Sequence, residues 1–329
     1  MNYIRLFQLV AIVLCFGVNA NDSLNLQNKK ILISYVAYAP QSVSLTKYDQ
    51  CKSNFDFFLR VGVTQSENID YIFSLVDDTA VPKRLNMLTS ASNTNNIIIQ
   101  RVDNMQLDLY THGSVLRNHT SDPYDYYVFM NCGSRGPYYK SPTSHQPGRP
   151  TQAHGIHNYI QANSTWLQPY ISKMQSTVGL VGSTLSCEVS PHVQSYIMVA
   201  RADAAKIIMD VWSPDERVSS DSRAAAIVDT EVAVSTAVLQ AGIGISCLDS
   251  RYLDIDGTYN RTCTSQYGKR DIAYDLNPAV CRGVSSEGCT RPVDPCEAVV
   301  VKYGGEMIAT HFVSPILTAM LKKEESLLP

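Results

Sequence analysis

One stretch limits what this chain can fold into more than any other. From Asp125 to Tyr138 it reads DYYVFMNCGSRGPY. Tyr127, Val128, Phe129 and Met130 form a short unbroken apolar run, which suits a central strand covered on both faces of an α/β sheet. The run stops abruptly at Asn131, Cys132, Gly133, Ser134, Arg135, Gly136 and Pro137. Open α/β sheets bind their ligands beyond the carboxyl ends of strands, so this cluster is a candidate binding turn. The same residues also suit an ordinary strand-to-loop turn.

The rest of the chain supports that sheet. Apolar runs at Ile31 to Tyr38, Tyr71 to Val76, Asn96 to Val102 and Tyr126 to Met130 predict four strands. Helical spacing predicts helices at Cys51 to Val61, where Phe55, Phe58 and Leu59 recur and Gly62 stops the pattern, and at Thr111 to Asn118. Alternation of this kind predicts a mostly parallel sheet with right-handed crossovers. From Tyr138 to Thr165 the pattern lapses into a long Pro-, His- and Ser-containing loop. Order returns with strands at Val178 to Ser183, Gln194 to Ala200 and Gly244 to Leu248, and with helices at Arg201 to Val211 and Ala224 to Gln240. The expected organisation is a signal peptide over 1–20, one α/β domain over 21–260 and a cysteine-containing extension over 261–329.

Charge and targeting narrow the function classes. The formal net charge of −3 comes with no basic stripe, which argues against a nucleic-acid partner. Arg5, the apolar stretch Leu6 to Val18 and the small residues of Val18-Asn19-Ala20 read as a cleavable secretory signal. An uncleaved signal anchor is the alternative, and no other segment is apolar enough to span a bilayer. The nine cysteines then point to disulfides, because removing Cys15 with the signal leaves an even number in an oxidising compartment. Local bridges among Cys263, Cys281, Cys289 and Cys296 are expected to pin the tail. Sequons at Asn21, Asn118, Asn163 and Asn260 agree with that compartment, either the ER or Golgi lumen or the cell exterior, and belong on the surface. His145, His154 and His157 fit no compact metal-ligand spacing.

Several motifs occur in a shared order: N-x-x-S-R-G-P after Met130, V-G-S-T-x-S-C at Val181 to Cys187, P-H-V-Q-S at Pro191 to Ser195, and an acidic helix start at Asp229 and Glu231. An apolar helix and A-G-x-x-I-x-C-L at Ala241 to Leu248 follow. Together with KKILISYVAY and IDYIFSLVDD upstream and DPCEAVVVKYGG downstream, this order resembles the eukaryotic branch of the rhamnan-synthesis-F-like glycosyltransferases, over roughly residues 30 to 303. The resemblance implies a GT-A-like nucleotide-binding α/β domain and transfer of a sugar from a nucleotide-sugar donor to a glycan or glycoprotein acceptor.

On that reading, each candidate residue has a role. Glu231 is the candidate base for the acceptor hydroxyl, with Asp229 second; acids at a helix start are also favoured by the helix dipole alone. Asp77 and Asp78, ending the second strand, suit donor hydroxyls or the base. Asn104 and Asp108 loosely match an N-x-G-x-D pattern of related transferases. Asn131, Ser134, Arg135 and His192 complete the donor set, with Arg135 offering a fork to the diphosphate. Metal-dependent relatives place D-x-D where this chain has Asn131-Cys132-Gly133. No certain cofactor is therefore implied, and magnesium or manganese accompanying the donor stays open. Asp254-Ile255-Asp256, the chain's one D-x-D, reads as a turn. The missing D-x-D also leaves room for an alternative: a secreted, non-catalytic carbohydrate-binding or interaction protein on the same fold.

Overall fold

The computed structural model describes residues 26–39, 46–64, 66–91, 96–103, 108–119, 124–137, 166–174, 176–186, 190–212, 227–248 and 299–302. The signal segment, the 138–165 loop, Asn104, the sequons at Asn21, Asn163 and Asn260, and the tail cysteines lie outside these residues. Strands β1 (Ile31–Ala37), β2 (Ile69–Val76), β3 (Ile97–Val102) and β4 (Tyr126–Asn131) are mutually parallel. They alternate with helices α1 (Thr46–Val61), α2 (Lys83–Ala91) and α3 (Asp108–Asn118). After the short β5 (Ser134–Arg135) and α4 (Gln168–Ser172) come β6 (Val178–Gly182), β7 (Leu185–Ser186), β8 (His192–Val193) and β9 (Ile197–Arg201). Helix α5 (Ala202–Val211), a π-helical turn (Val228–Val232), α6 (Ala233–Gln240), β10 (Gly244–Cys247) and β11 (Val301–Lys302) complete the order.

The seven-stranded sheet has the order β10-β6-β9-β4-β1-β2-β3. Only β9 runs against its neighbours, pairing antiparallel with both β4 and β6. The fold is therefore the mixed α/β, mostly parallel sheet that the alternation predicts. Every residue of β1 is buried, because each face of the sheet carries helices. On one face Tyr35 stacks on Phe55 and Phe58 of α1, at 4.9 Å between centroids in each case. Burying each of these rings contributes about 1.5–3 kcal/mol. On the other face the neighbouring Ser34 hydrogen-bonds His112 of α3 at 2.8 Å. The His112 ring lies against Phe129 and Trp212, and burial pushes its pKa down to about 3.

Elements depart from the sequence reading for local reasons. Helix α1 starts at Thr46, not Cys51, because its first turns are polar and show no apolar stripe. Helix α2 has no predicted counterpart; its signals are Pro82 immediately before it and the buried Leu85 and Leu88. The strand expected at Gln194 to Ala200 starts later, as β9 at Ile197, and the separate short β8 (His192–Val193) lies before it. Gly242 follows α6 with φ of +80°; its N–H reaches back to Leu239 O at 3.0 Å and Ile243 N–H to Val238 O at 3.1 Å, a closure that favours glycine. Among the described residues no helix is long and apolar enough to cross a membrane.

Candidate functional site at the strand ends

Parallel pairing brings the carboxyl ends of β1 to β4 to one edge of the sheet. Val76 pairs with Val102, so Asp77 and Asp103 follow at one level, while Asn131 pairs with Val36 and so lies level with Ser74 of β2, three residues before Asp77 at the same edge. The reversed β9 begins at this edge, since Met130 pairs with Ile197. That reversal delivers Ser195 beside the end of β4.

Three predicted residues meet here. The Asn131 amide nitrogen donates to the Asp108 carboxylate, and its amide oxygen accepts Gly133 N–H at 2.9 Å. Burial holds the Asp108 carboxyl above its ordinary range; the bond from Asn131 opposes this, and the charge of Glu231 adds to it. Asp108 and Glu231 thus share one electrostatic environment although the sequence sets them far apart. Glu231 Oε1 accepts the backbone N–H of Ser195 at 2.8 Å, which fixes one carboxylate oxygen. Glu231 and Asp229 both sit on the π-helical turn, half-buried. Turns of this kind are rare and recur at functional sites.

The remaining candidates are placed differently. Asp77 and Asp78 are exposed beyond β2, and Asp77 has φ of +52°. Arg101 of β3 donates to the carbonyls of both Asp77 and Thr79, which sequence reasoning missed. Ser134 turns its hydroxyl to the Asn131 carbonyl at 2.7 Å. Arg135 does not stand at the edge beside Asn131: its guanidinium is buried against α1, donating to Ser53 Oγ and Asn54 Oδ1 at 3.1 Å each and lying over the Phe57 ring. His192 is buried in the β7–β8 pair, where Nδ1 donates to Ser190 O at 2.7 Å. Asn118 ends α3 exposed, as a glycan acceptor requires.

A disulfide joins Cys51 of α1 to Cys132, immediately after Asn131, with 4.7 Å between Cα atoms. A sequence separation of 81 leaves no local spacing from which the pairing could be read. At the place expected for D-x-D, Cys132 is thus engaged in the bridge and both ends of the Asn131 amide are committed. Among the described residues no three His, Cys, Asp or Glu side chains gather as a metal-ligand set. These donors do not fit a cation held in the D-x-D manner.

No protein-family model matches the chain, and no curated protein matches it. Among solved structures, it is similar to the glycosyltransferase GlyE of Streptococcus pneumoniae, at 9% identity and a TM-score of 0.42, over 92% of this chain and 61% of that one. The apo form of GlyE gives 8% identity and a TM-score of 0.43, over 91% and 61%. The mannosyltransferase PcManGT of Pyrobaculum calidifontis, in complex with GDP-Man and Mn2+, gives 8% identity and a TM-score of 0.35, over 66% and 54%. The chain therefore spans less than two thirds of each of these proteins. Likenesses this loose leave the fold to rest on its own strand order.

Proposed function

We propose that the chain is a glycosyltransferase that moves a sugar from a nucleotide-sugar donor to a hydroxyl of a glycan or glycoprotein acceptor, in the lumen of the secretory pathway. The observation that carries this reading is the meeting of Asp108, Asn131 and Glu231 at the carboxyl edge of the parallel strands. The order of motifs resembling the rhamnan-synthesis-F-like family supports it, and the Cys51–Cys132 bridge supports an oxidising compartment. In this mechanism Glu231 takes the proton of the acceptor hydroxyl while that oxygen bonds the sugar carbon. The nucleoside diphosphate departs with the electrons of the broken bond. Asp108 and Asn131 face the donor sugar, and Asp77 and Asp78 accept hydroxyls of the nucleoside.

One observation favours a second reading, a secreted non-catalytic carbohydrate-binding or interaction protein. Arg135, the cation four residues after Asn131, spends its guanidinium on α1 and leaves the diphosphate to other groups. Thermal-shift titration with uridine and guanosine diphosphates, with and without manganese, separates the two. Stabilisation by either nucleotide supports the transferase; stabilisation by neither, in both conditions, supports the binding protein.

A further inference from the structure

We propose that Asn54, in the middle of α1, is a positioning residue for the Asn131–Asp108 pair, because its amide clamps the turn that follows β4. This deepens the transferase reading and names a residue of the same site. Asn is a poor helix former, and a fully buried amide is costly unless both of its ends are bonded. Asn54 is 0% exposed, and both ends find partners in one turn. Its Nδ2 donates to Cys132 O at 2.9 Å, and its Oδ1 accepts from Arg135 Nη1 at 3.1 Å. Cys51, three residues earlier and so on the same helix face, is bonded through sulfur to Cys132. Ser53 and Phe57 hold Arg135 from the same helix.

The clamp brackets Asn131. Cys132, its direct neighbour, is tied to α1 through both sulfur and carbonyl oxygen. Ser134 Oγ and Gly133 N–H close back onto the Asn131 carbonyl and amide oxygen, at 2.7 and 2.9 Å. With the amide oxygen so engaged, the amide nitrogen has one direction left, toward Asp108. Arg135 therefore serves the site from behind, through Asn54, rather than by touching the donor. Two groups act on the Asp108 carboxyl from neighbouring elements: Asn131, whose bond favours the ionised form, and Glu231, whose charge opposes it.

The test follows the Asp108 titration by NMR in protein labelled at the aspartate carboxyl carbons. It compares wild type, Asn54→Ala, Asn131→Ala and the double variant. The expected result is a rise in the Asp108 midpoint of roughly half a pH unit or more in each single variant, with no further rise in the double, because Asn54 acts through Asn131. A merely structural Asn54 would lower the melting temperature and leave the midpoint unmoved; that result, or full additivity in the double variant, overturns the proposal. Should Asn54→Ala fail to fold, Arg135→Met opens the same clamp from β5 and is read the same way. Uridine and guanosine diphosphate titrations run alongside. A wild type that binds neither overturns the transferase reading, while the Asp108 midpoint still decides the role of Asn54.

Discussion

Opening the Cys51–Cys132 bridge should be among the most costly perturbations of the described fold. The bridge closes a loop with a sequence separation of 81, spanning β2, α2, β3 and α3 and returning at the end of β4. In the chain-entropy account, a loop of this length restrains the unfolded chain by about 15 cal/mol/K, or about 4.5 kcal/mol at 25 °C. At about 2.1 cal/mol/K of unfolding entropy per residue, a chain of 329 residues would lose roughly 6–7 °C in melting temperature. Cys51→Ala, Cys132→Ala and the double variant should cost the same to within about 1 kcal/mol, since either substitution alone opens the ring. Guanidinium unfolding is the assay, with the midpoint falling and the slope reporting any change in the unfolded chain. A loss under about 1 kcal/mol in the double variant would refute the reasoning. The bridge would then be a passive contact between α1 and the strand end.

Three other outcomes follow from named contacts. Glu231→Gln should abolish sugar transfer and leave nucleoside-diphosphate affinity within about twofold, read by titration calorimetry, because the substitution removes a base and not a donor contact. His112 is held neutral with its pKa lowered to about 3. Between that value and the unfolded pKa of about 6.5 the unfolded chain binds the extra proton, so stability should fall by about 2 kcal/mol from pH 7 to pH 5, and His112→Gln should remove that part of the pH dependence in denaturation curves. A Cβ at Gly113 would overlap the Trp212 carbonyl oxygen where α3 passes the end of α5. Gly113→Ala should therefore destabilise by about 1–3 kcal/mol in the same assay.

The parts of the fold legible in the sequence are those where burial leaves a continuous signal. Strands β1 and β2 are buried almost throughout and β4 is buried at Val128, Phe129 and Met130, so their largely apolar runs, broken in β1 and β2 only by Ser34, Asp70 and Ser74, mark them. Strand β3 lies at the sheet margin and is only partly buried, yet Ile97, Ile98 and Ile99 still mark it. The placement of Arg135 is not legible for a physical reason: the signal of α1 in the sequence is its apolar stripe. Its polar residues Ser53 and Asn54, not that stripe, decide where the guanidinium goes.

The direction of β9 carries the rest of the argument. A strand reading IMVAR states nothing about its own polarity. The usable signal is the connection: between Gly182 and Ile197 the described residues form two short strands and no helix, and a parallel neighbour would need a long crossover. The reversal has a direct consequence for the site. Ser195 precedes β9, and its N–H is the described anchor of Glu231. Were β9 parallel to β4, its start would lie at the opposite edge, about 17 Å away over five residues at about 3.4 Å each. Glu231 would then have no backbone donor beside Asn131 and would sit apart from Asp108. One reversed strand thus joins two acids that lie far apart in sequence, and neither acid's local sequence records the meeting.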